Sequence, residues 1–518
     1  MTAMPLGFAR QITDRFRADS FAWAIALTTG LDYFDNSIFS FFTSYIAGGI
    51  NASPDELVWA SSAYAVASVL GILQQQWWIE RIGNRRYIAG CLFLFAAGAV
   101  AATLSESAIG LAMARGFQGY FIGPLMSAAR ILIQTRFTQE QRPKATRRFL
   151  NMILLGTALA PLCGGYLVAW VGWRALFACT AFAGVVLGLL AFLAVPCTGR
   201  VQPEQRGDSH FWPYIIFAFA QGALQIVMQQ VRFELFGDSP ELIVLTVAGL
   251  LSLGWFAWHQ WHHPRPLLRL HALREKTFQI GIVLYIAFYY INNAMSFLVS
   301  RLLEGGLRYP VENAGRLVGF TSMVSLAMAV IYFRYSSRVK HKKWMIMTGF
   351  LLAAFIGTWM VNMPPDVSMR WLICPMVLRG MLLLFIALPV ANLTFRVFAI
   401  EEYSHGYRIK NIVKQLTYSF STATIIILEQ HRAALHQTRL VETVNAYNPI
   451  FQSAYESLLS GFQHMGNSVS DGKALALVEI NGLVTQQANF LSSLDGFYYI
   501  IVIALVASVI AAWQKRID

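Results

Sequence analysis

Long apolar stretches alternate with short polar gaps along almost the whole of this chain. There are fourteen such stretches of about 18 to 25 residues, and a helix of that length crosses ~30 Å of hydrocarbon. The pattern therefore predicts an all-α polytopic membrane protein with fourteen transmembrane helices. We number the predicted spans in chain order as 21–46, 57–76, 87–104, 108–133, 149–169, 174–196, 211–231, 241–258, 278–300, 313–333, 344–362, 370–395, 408–429 and 496–513.

Positive charge is distributed unevenly among the gaps. Of the 40 Lys and Arg residues, 25 lie before span 1, in the gaps that lead from an even-numbered to an odd-numbered span, or after span 14, and only 6 lie in the other gaps. Cytoplasmic loops of membrane proteins carry the excess of Lys and Arg. The bias therefore predicts that both termini are cytoplasmic. The remaining nine lie inside or at the ends of spans: Arg115, Arg130, Arg174, Arg316, Arg370, Arg379, Arg408, Lys410 and Lys414.

Composition supports a membrane protein and excludes an ordinary soluble domain. Hydrophobic residues make up 56% of the chain and charged residues 13%, which is about half the charged fraction of soluble domains; the mean hydropathy is +0.50. The net charge of +13 belongs to loops that face anionic headgroups, so membrane lipids are expected partners and nucleic acid is not. The five cysteines form no CxxC pair, which implies neither a disulfide framework nor a metal–thiolate site.

Signatures of an enzyme or of an ATP-driven pump are missing from the sequence. No GxxxxGK[ST] stretch is present to hold the phosphates of ATP. No set of residues forms a convincing hydrolase or metal centre either. We therefore expect no catalytic residue, no metal and no cofactor, with protons as the coupling ion.

Two parts of the chain resemble each other weakly. Basic clusters at 80–86 and 338–343 open spans 3 and 11, and the Arg-Gly pair at 115–116 in span 4 matches the pair at 379–380 in span 12. Pairing span n with span n+8 predicts two six-helix halves that enclose a site near the midplane, as in many secondary transporters. The predicted organisation is an N-terminal half at 1–200, two linker helices (spans 7 and 8) at 201–262 and a C-terminal half at 263–518.

One connection is much longer than the others, the segment of roughly 65 residues at 430–495. The charge bias places this segment on the periplasmic side. It contains polar and amphipathic runs at 454–462 and 474–484. These runs predict short helices that lie outside the bilayer.

Span 1 carries two acidic residues, Asp32 and Asp35, on one helix face. Ionised carboxylates are costly in a membrane, so such acids line a cavity, pair with a base or take up protons. Asp35 lies roughly 22 Å above the cytoplasmic end of span 1, and Arg115 lies roughly 10 Å below the opposite face in span 4, at ~1.5 Å per residue. Because their depths agree, we predict that Asp35 titrates with the coupling proton and that Arg115 changes its proton affinity. A static structural ion pair is the alternative.

Spans 1, 4 and 5 also carry short sequence motifs. Arg115-Gly-Phe-Gln118-Gly119 is similar to the motif RxxQG, and the run at 34–38, which contains Asp35, lies where a related motif reads LDxTI. The residues of span 5 that match the antiporter motif gxxxGPxxGG, with Ala at its fourth small position, are Gly156, Ala160, Pro161, Gly164 and Gly165. Together these motifs resemble those of the fourteen-span drug:proton antiporter family of the major facilitator superfamily.

The loop between spans 2 and 3 resembles the gating motif GxLaDrxGr of the same family. The matching residues are Glu80, Arg81, Gly83 and Arg85, whereas the first Gly is missing and Glu replaces Asp. The resemblance covers nearly the whole chain and is closest to EmrB-type inner-membrane exporters. It implies the major facilitator fold, two six-helix halves plus two extra helices. It also implies exchange of protons for amphipathic compounds and two partners, a periplasmic adaptor (membrane fusion protein) and a TolC-like outer-membrane channel.

Several polar and aromatic residues are candidates for the substrate cavity. They are Gln118 in span 4, Tyr289, Asn292 and Asn293 in span 9, and Arg379 in span 12. The amide of Gln118 supplies both a donor and an acceptor close to Arg115. For the two asparagines, hydrogen bonds between packed helices are the alternative role.

These features predict a proton-coupled antiporter of the bacterial inner membrane. The expected cargo is a small amphipathic compound, either drug-like or a dedicated metabolite such as a siderophore or fatty acid. The protein would export it from the cytoplasm as the inner-membrane part of a tripartite efflux system. A metabolite symporter or facilitator of the same fold is the alternative. Pocket shape rather than a spacing code sets such specificity, so the sequence leaves the cargo unnamed.

Overall fold

The computed structural model describes residues 6–53, 56–202, 206, 211–230, 239–264, 266–335, 341–364, 367–398, 400–445 and 447–514. This part of the chain is nearly all helical and contains no β-strand, which confirms the predicted fold class. Its α-helices are α1 (Leu6–Phe41), α2 (Thr43–Gly49), α3 (Val58–Ile82), α4 (Asn84–Thr103), α5 (Ala108–Arg136), α6 (Arg142–Trp170), α7 (Arg174–Ala194), α8 (Phe211–Gln230), α9 (Pro240–His262), α10 (Lys276–Arg301), α11 (Val311–Tyr335), α12 (Lys342–Val361), α13 (Met369–Leu382), α14 (Leu388–Thr394), α15 (Ile400–Thr443), α16 (Pro449–His464) and α17 (Val469–Trp513).

The long helices differ in how apolar they are. Within the described ranges, ten helical segments are long and apolar enough to cross a membrane. Four further long helices, α1, α3, α5 and α15, overlap predicted spans 1, 2, 4 and 13 but are less apolar. They carry buried polar side chains, among them Asp32, Gln75, Arg115 and Lys414. Buried polar side chains therefore account for the lower hydropathy of these four helices, and the number of fourteen crossings stays a prediction.

The helices pack in a pattern that repeats along the chain. In the N-terminal half, α1 packs on α6, α3 on α5, and α4 on α7. In the C-terminal half, α10 packs on α15, α11 on α13, and α12 on α17, which are the same contacts displaced by eight spans. The two halves meet where α6 contacts α11 and where α3 contacts α15, while α8 and α9 pack mainly on each other. The central space of the molecule therefore lies between two similar bundles.

The prediction of short separate helices at 430–495 is wrong for most of this segment. Helix α15 continues without a break to Thr443, and α17 begins at Val469, far before predicted span 14. In the described part of the segment, α16 alone is a separate short helix. Hydropathy predicts which part of a helix crosses the membrane, but it does not predict the residue at which the helix ends. Neither 430–443 nor 469–495 contains a proline that would stop one.

Two local breaks interrupt helices near the centre of the bundle. Predicted span 1 consists of α1 and α2, which meet at Phe42, and the Phe42 ring packs so closely on Gly164 of α6 that no Cβ would fit. In predicted span 12, a π-helical turn at Leu383–Ala387 separates α13 from α14. Pro389, in the first turn of α14, has no N–H to donate and favours such a break.

Candidate substrate and proton site

A central cavity of about 390 Å³ lies between the two halves. Its wall is formed mainly by α1, α3, α5 and α6 on one side and by α10, α11, α13, α14 and α15 on the other, and Gln229 of α8 also reaches it. The wall mixes apolar and aromatic side chains with hydroxyl, amide and cationic groups. A cavity of this size and character fits a small organic molecule with both apolar and polar parts.

Asp35 of α1 and Arg115 of α5 form a buried ion pair beside this cavity. Arg115 Nη1 lies 2.6 Å from Asp35 Oδ2, and the two side chains are 1% and 0% exposed. The same nitrogen donates to Gln118 Oε1 at 3.0 Å, and the guanidinium lies over the rings of Phe39 and Tyr64. Arg115 lines the cavity, whereas Asp35 does not. The proximity expected from depth is confirmed, and the role of the pair stays a prediction.

This pair leaves two buried polar atoms without partners. Asp35 Oδ1 and Arg115 Nε have no hydrogen-bond partner among the described residues. A buried ion pair is stable only when its geometry and further hydrogen bonds offset the cost of taking two charges out of water. Asp35 Oδ1 is therefore an atom that can accept a proton. Protonation there removes the negative charge that holds Arg115.

Asp32 is held differently from Asp35. Its Oδ1 accepts hydrogen bonds from the Tyr64 hydroxyl at 2.9 Å and from Asn36 Nδ2 at 3.2 Å, and its Oδ2 has no hydrogen-bond partner in the described ranges. Tyr64 contacts both the Asp32 carboxylate and the Arg115 guanidinium. A change of charge at either acid can therefore affect the other through this shared tyrosine.

The RxxQG residues of α5 lie where this helix crosses α3. A Cβ on Gly119 would clash with the backbone carbonyl oxygen of Tyr64, so a glycine is required at this crossing. Gln118 is fully buried and is not part of the cavity wall. Its prediction as a cavity residue is wrong because its side-chain oxygen accepts the hydrogen bond from Arg115 instead of facing the cavity.

The small residues of α6 bring three helices together. Gly156 packs against the backbone carbonyl of Gly30 in α1, and the carbonyl of Pro161 packs against Gly315 in α11, with no room for a Cβ at either glycine. The other members of the predicted motif are buried as well: Ala160, Gly164 and Gly165. Helix α6 thus lies tightly between one helix of each half. Its role as a seal or pivot stays a prediction.

The connection between α3 and α4, which contains the predicted gating motif, is attached to the end of α7. Gly83 has a φ of 81°, which favours glycine. Arg85 Nε donates to the carbonyl of Val195 at 2.7 Å. Glu80 and Arg81 contact side chains one turn earlier in α3. These contacts stiffen one end of the N-terminal half, and gating itself stays a prediction.

The remaining predicted cavity residues all line the wall: Tyr289, Asn292, Asn293 and Arg379. Asn293 Nδ2 also donates to Thr422 Oγ1 of α15 at 2.9 Å, so this side chain joins two helices and faces the cavity. Arg379 Nη2 donates to Ser296 Oγ of α10 at 2.9 Å. Asn293 thus both joins two packed helices, the alternative role given for the asparagines, and lines the cavity.

Two cationic residues of the cavity escape the sequence analysis. Lys410 and Lys414 fall within predicted span 13, at 408–429, but the sequence analysis did not single them out as cavity residues. In the structure both lie inside α15, are 3% exposed and line the cavity. The signal that could have found them is their helical spacing with Tyr407 and Tyr418, which places four residues on one face.

Comparison with known families identifies the fold. A model of the Major Facilitator Superfamily matches residues 25–422, more than three quarters of the chain. This chain belongs to the major facilitator superfamily. A solved structure of a POT family transporter in complex with 5-aminolevulinic acid has the same fold, with a TM-score of 0.60 and 14% identity over 96% of each chain.

Curated relatives of this major facilitator protein match it over most of its length. The probable multidrug resistance protein EmrY of Escherichia coli (strain K12) is 22% identical over 494 residues, which cover 95% of this chain and 94% of EmrY. The multidrug export protein EmrB of Haemophilus influenzae is 21% identical over 441 residues, which cover 84% and 85% of the two chains. The predicted resemblance to EmrB-type proteins is confirmed. This major facilitator protein is a multi-pass membrane transporter.

Proposed function

We propose that this transporter exports small amphipathic compounds across the bacterial inner membrane in exchange for protons. The observation that carries the proposal is the buried Asp35–Arg115 pair, which lies directly beside the central cavity. Coupling to protons requires a group that changes charge and acts on the cargo site. The similarity to EmrY and EmrB, whose names describe multidrug resistance and export, supports outward transport. Each proton that enters is driven by ~2.3 kcal/mol per 100 mV of membrane potential, in addition to the pH gradient.

Exchange follows if proton and cargo favour different conformations. In the conformation described, the ion pair is formed and the cavity is present. A proton on Asp35 weakens the pair and so destabilises this conformation relative to others. Cargo in the cavity stabilises the same conformation. The two ligands then bias one equilibrium in opposite directions, which is the thermodynamic requirement for antiport.

The test replaces Asp35 by Asn and measures uptake of cargo into inside-out proteoliposomes under an imposed pH gradient. Asp19→Asn is the matched control, because Asp19 lies on the same helix and pairs with Arg148 at 2.7 Å but is 63% exposed. We expect Asp35→Asn to lose gradient-driven accumulation while retaining exchange of labelled for unlabelled cargo without a gradient. We expect Asp19→Asn to behave like the wild type, and Asp35→Glu to recover part of the driven flux.

Each other outcome rejects the proposal in a distinct way. Undiminished driven accumulation in Asp35→Asn rules out Asp35 as the coupling group. Loss of both driven flux and exchange, together with a large fall in thermal stability, indicates the static ion pair. Movement of cargo in the same direction as protons indicates the alternative symport function.

The extended periplasmic helices support a proposed partner. Helix α15 continues for about 14 residues beyond its predicted span, roughly 21 Å, and α17 begins about 27 residues before its span, roughly 40 Å, at ~1.5 Å per residue. Apolar side chains on these extensions and on α16 are exposed, among them Val441, Ile450 and Val478. Exposed apolar patches outside the membrane mark interaction surfaces. We assign this surface to a periplasmic adaptor that leads to a TolC-like outer-membrane channel.

Co-purification with a single-span adaptor encoded beside the gene tests this partner. Val478→Asp places a charge on the exposed apolar surface, and Asn481→Asp places the same charge on an exposed polar position one turn later. We expect Val478→Asp to lower recovery of the adaptor several-fold, and Asn481→Asp to leave it unchanged. Flux in proteoliposomes should be normal in both variants. Equal recovery with Val478→Asp contradicts the assigned surface.

A further inference from the structure

The wall of the central cavity is strongly positive. Among its described side chains there is no carboxylate, and the cationic ones are Arg115, Arg130, Arg379, Lys410 and Lys414. Arg115 is paired with Asp35. The other four have no carboxylate oxygen within 4.0 Å in the described part of the chain. Positive charges gathered in a cavity away from water are unfavourable unless an anion joins them.

The two unpaired arginines are held by neutral groups. Arg130 donates from Nε to the Tyr403 hydroxyl at 3.0 Å and from Nη1 to Thr146 Oγ1 at 2.8 Å. Arg379 donates from Nη2 to Ser296 Oγ at 2.9 Å. These hydroxyls fix the positions of the guanidinium groups without neutralising them. Since a guanidinium is not deprotonated in proteins, both arginines keep their charge.

The two lysines lie one turn apart on α15 and face aromatic rings. Lys410 Nζ lies 4.7 Å from the ring centre of Tyr407 and 5.5 Å from that of Tyr289, and Lys414 Nζ lies 4.5 Å from that of Tyr33. Ring faces attract a cation only weakly compared with a carboxylate. Lys410 donates one hydrogen bond to a side-chain acceptor in the described chain, the Asn411 amide oxygen. Further N–H donors on this ammonium group can therefore bind an anion.

The same wall offers a large apolar surface. The apolar members that reach the cavity from both halves include Phe149, Leu154, Phe288, Leu388 and Phe395. These side chains can cover a hydrocarbon or aromatic body, while the cationic groups bind a charged head. A purely inorganic anion has no apolar part that could contact this surface.

We infer that the cargo is an amphipathic organic anion, with its acidic head bound by Lys410 and Lys414 and its apolar body against the aromatic wall. A cation of the same shape is rejected by like-charge repulsion, which is an effective means of discrimination. The direction of transport rests on the proposed function, whereas the binding preference stands on the cavity alone.

An anionic cargo constrains how the proton is coupled. Direct attraction between a bound anion and a proton on Asp35 favours binding of both together. Exchange therefore requires a conformational effect that outweighs this attraction. Cargo must stabilise the conformation in which Asp35 is deprotonated and pairs with Arg115. Export of one anion for one proton moves two positive charges inward per cycle. Membrane potential then drives the cycle strongly, whereas export of a monovalent cation for one proton moves no net charge.

A matched pair of probes tests the preference. The anion 8-anilino-1-naphthalenesulfonate and the neutral N-phenyl-1-naphthylamine share one aromatic body and differ in a sulfonate that stays charged at all working pH values. Equilibrium dialysis against protein in phosphatidylcholine nanodiscs, corrected with empty nanodiscs, gives the two affinities. We expect the wild type to bind the anion at least about tenfold more tightly, a difference of about 1.4 kcal/mol.

The matched variants assign this preference to the two lysines. The double variant Lys410→Gln/Lys414→Gln should lose at least about tenfold in affinity for the anion and less than about twofold for the neutral probe. Retained binding of the neutral probe shows that the variant is folded. Lys144→Gln, at an exposed position of α6, should change neither. Equal affinities of the wild type for the two probes, or an equal loss of both in the double variant, overturns the inference.

Transport in proteoliposomes separates this inference from the proposed function. If the pH gradient drives export of the cation ethidium but not of the anionic probe, proton-coupled export stands and the anionic cargo is rejected. If the anionic probe binds with the expected dependence on the lysines but no gradient drives its movement, the cargo class stands and the proposed function is rejected. A potassium–valinomycin potential should accelerate export of the anion in the wild type.

Discussion

The two halves of the cavity place an arginine at equivalent positions but surround it with different charges. In the N-terminal half, Arg115 of α5 reaches α1 and meets the carboxylate of Asp35. In the C-terminal half, Arg379 of α13 reaches α10, the counterpart of α1, and meets the hydroxyl of Ser296. The repeat keeps the contact between the two helices and changes the charge of the partner.

This difference suggests that the halves have separate tasks. The carboxylates near the cavity, Asp32 and Asp35, both lie on α1 of the N-terminal half. Lys410 and Lys414 lie on α15 of the C-terminal half, whose counterpart α6 has a face of small residues instead. We assign the proton to the N-terminal half and recognition of the charged cargo to the C-terminal half.

The largest effect is expected from Arg115→Gln. This change leaves the buried Asp35 carboxylate without its cation, so we expect the free energy of unfolding to fall by about 3–5 kcal/mol and driven flux to fall to background. Adding Asp35→Asn should recover most of the stability, because the buried charge is then removed as well. Denaturant unfolding in detergent measures both effects. A loss below about 1 kcal/mol in Arg115→Gln would show that the pair is not a strong buried contact.

A smaller effect is expected where the N-terminal half is tightly packed. The added methyl group of Gly156→Ala meets the backbone of Gly30, so we expect a loss of about 1–3 kcal/mol from overpacking. Gly90→Ala is the control, because nothing lies within 4 Å of its added Cβ. Thermal unfolding measures both. Equal melting temperatures for the two variants would contradict the tight crossing of α1 and α6.

Arg379→Gln tests the C-terminal side of the comparison. The change removes one hydrogen bond to Ser296 and leaves no buried carboxylate without its cation. The free energy of unfolding should therefore change by no more than about 1.5 kcal/mol. Affinity for the anionic naphthalenesulfonate should fall by up to about tenfold, or about 1.4 kcal/mol, because one positive charge leaves the wall. The measurements are unfolding and equilibrium dialysis on the same preparation. A stability loss as large as that of Arg115→Gln would mean that the two arginines are not differently paired.

The smallest effect is expected outside the central cavity, between the extensions of α15 and α17. Asp495 Oδ2 lies 2.6 Å from Arg432 Nε and 2.7 Å from His436 Nε2. Burial alone would raise the pKa of Asp495, but the hydrogen bonds from Arg432 and His436 hold this pKa below the ordinary carboxyl value of 3.8. The contact therefore stabilises the helix pair at pH values above 3.8, and this stabilisation is lost as the pH falls through the lowered pKa.

Hydrogen exchange of residues 430–443 measures this contact. We expect Asp495→Asn to raise exchange a few-fold over the wild type at neutral pH, and the difference to vanish below the lowered pKa, where the wild-type carboxyl is also protonated. Glu479→Gln, at an exposed position of α17, should leave exchange unchanged. A difference between Asp495→Asn and the wild type that persists in strong acid would exclude the charge as its cause.

Features fixed by helix geometry could be predicted from the sequence. The meeting of Asp35 with Arg115 followed from depth alone, because the rise per residue of a helix is constant. The repeat followed from the Arg-Gly pairs at 115–116 and 379–380. Motif order in spans 1, 4 and 5 gave the family, since it reflects packing needs such as the close contact of Gly156 with Gly30.

Features that depend on burial of polar groups were missed. Predicted span 13 contains Lys410 and Lys414, but hydropathy averages over neighbours and cannot show that a polar side chain faces a cavity. For the same reason, it gave no sign that α15 continues to Thr443. The direction of Gln118, toward Arg115 rather than into the cavity, depends on one hydrogen bond that no pattern reports.

Coupling in this transporter requires an exchangeable proton at Asp35, and this proton can be counted. The measurement adds the anionic naphthalenesulfonate to weakly buffered, detergent-solubilised protein and records proton release with a pH-indicator dye. We predict that the wild type releases up to about half a proton per bound probe at the midpoint of the Asp35 titration, where half of these carboxyls carry a proton, that Asp32→Asn still does so, and that Asp35→Asn releases none. Equal release from Asp35→Asn, or uptake of protons by the wild type, would contradict exchange at this carboxylate.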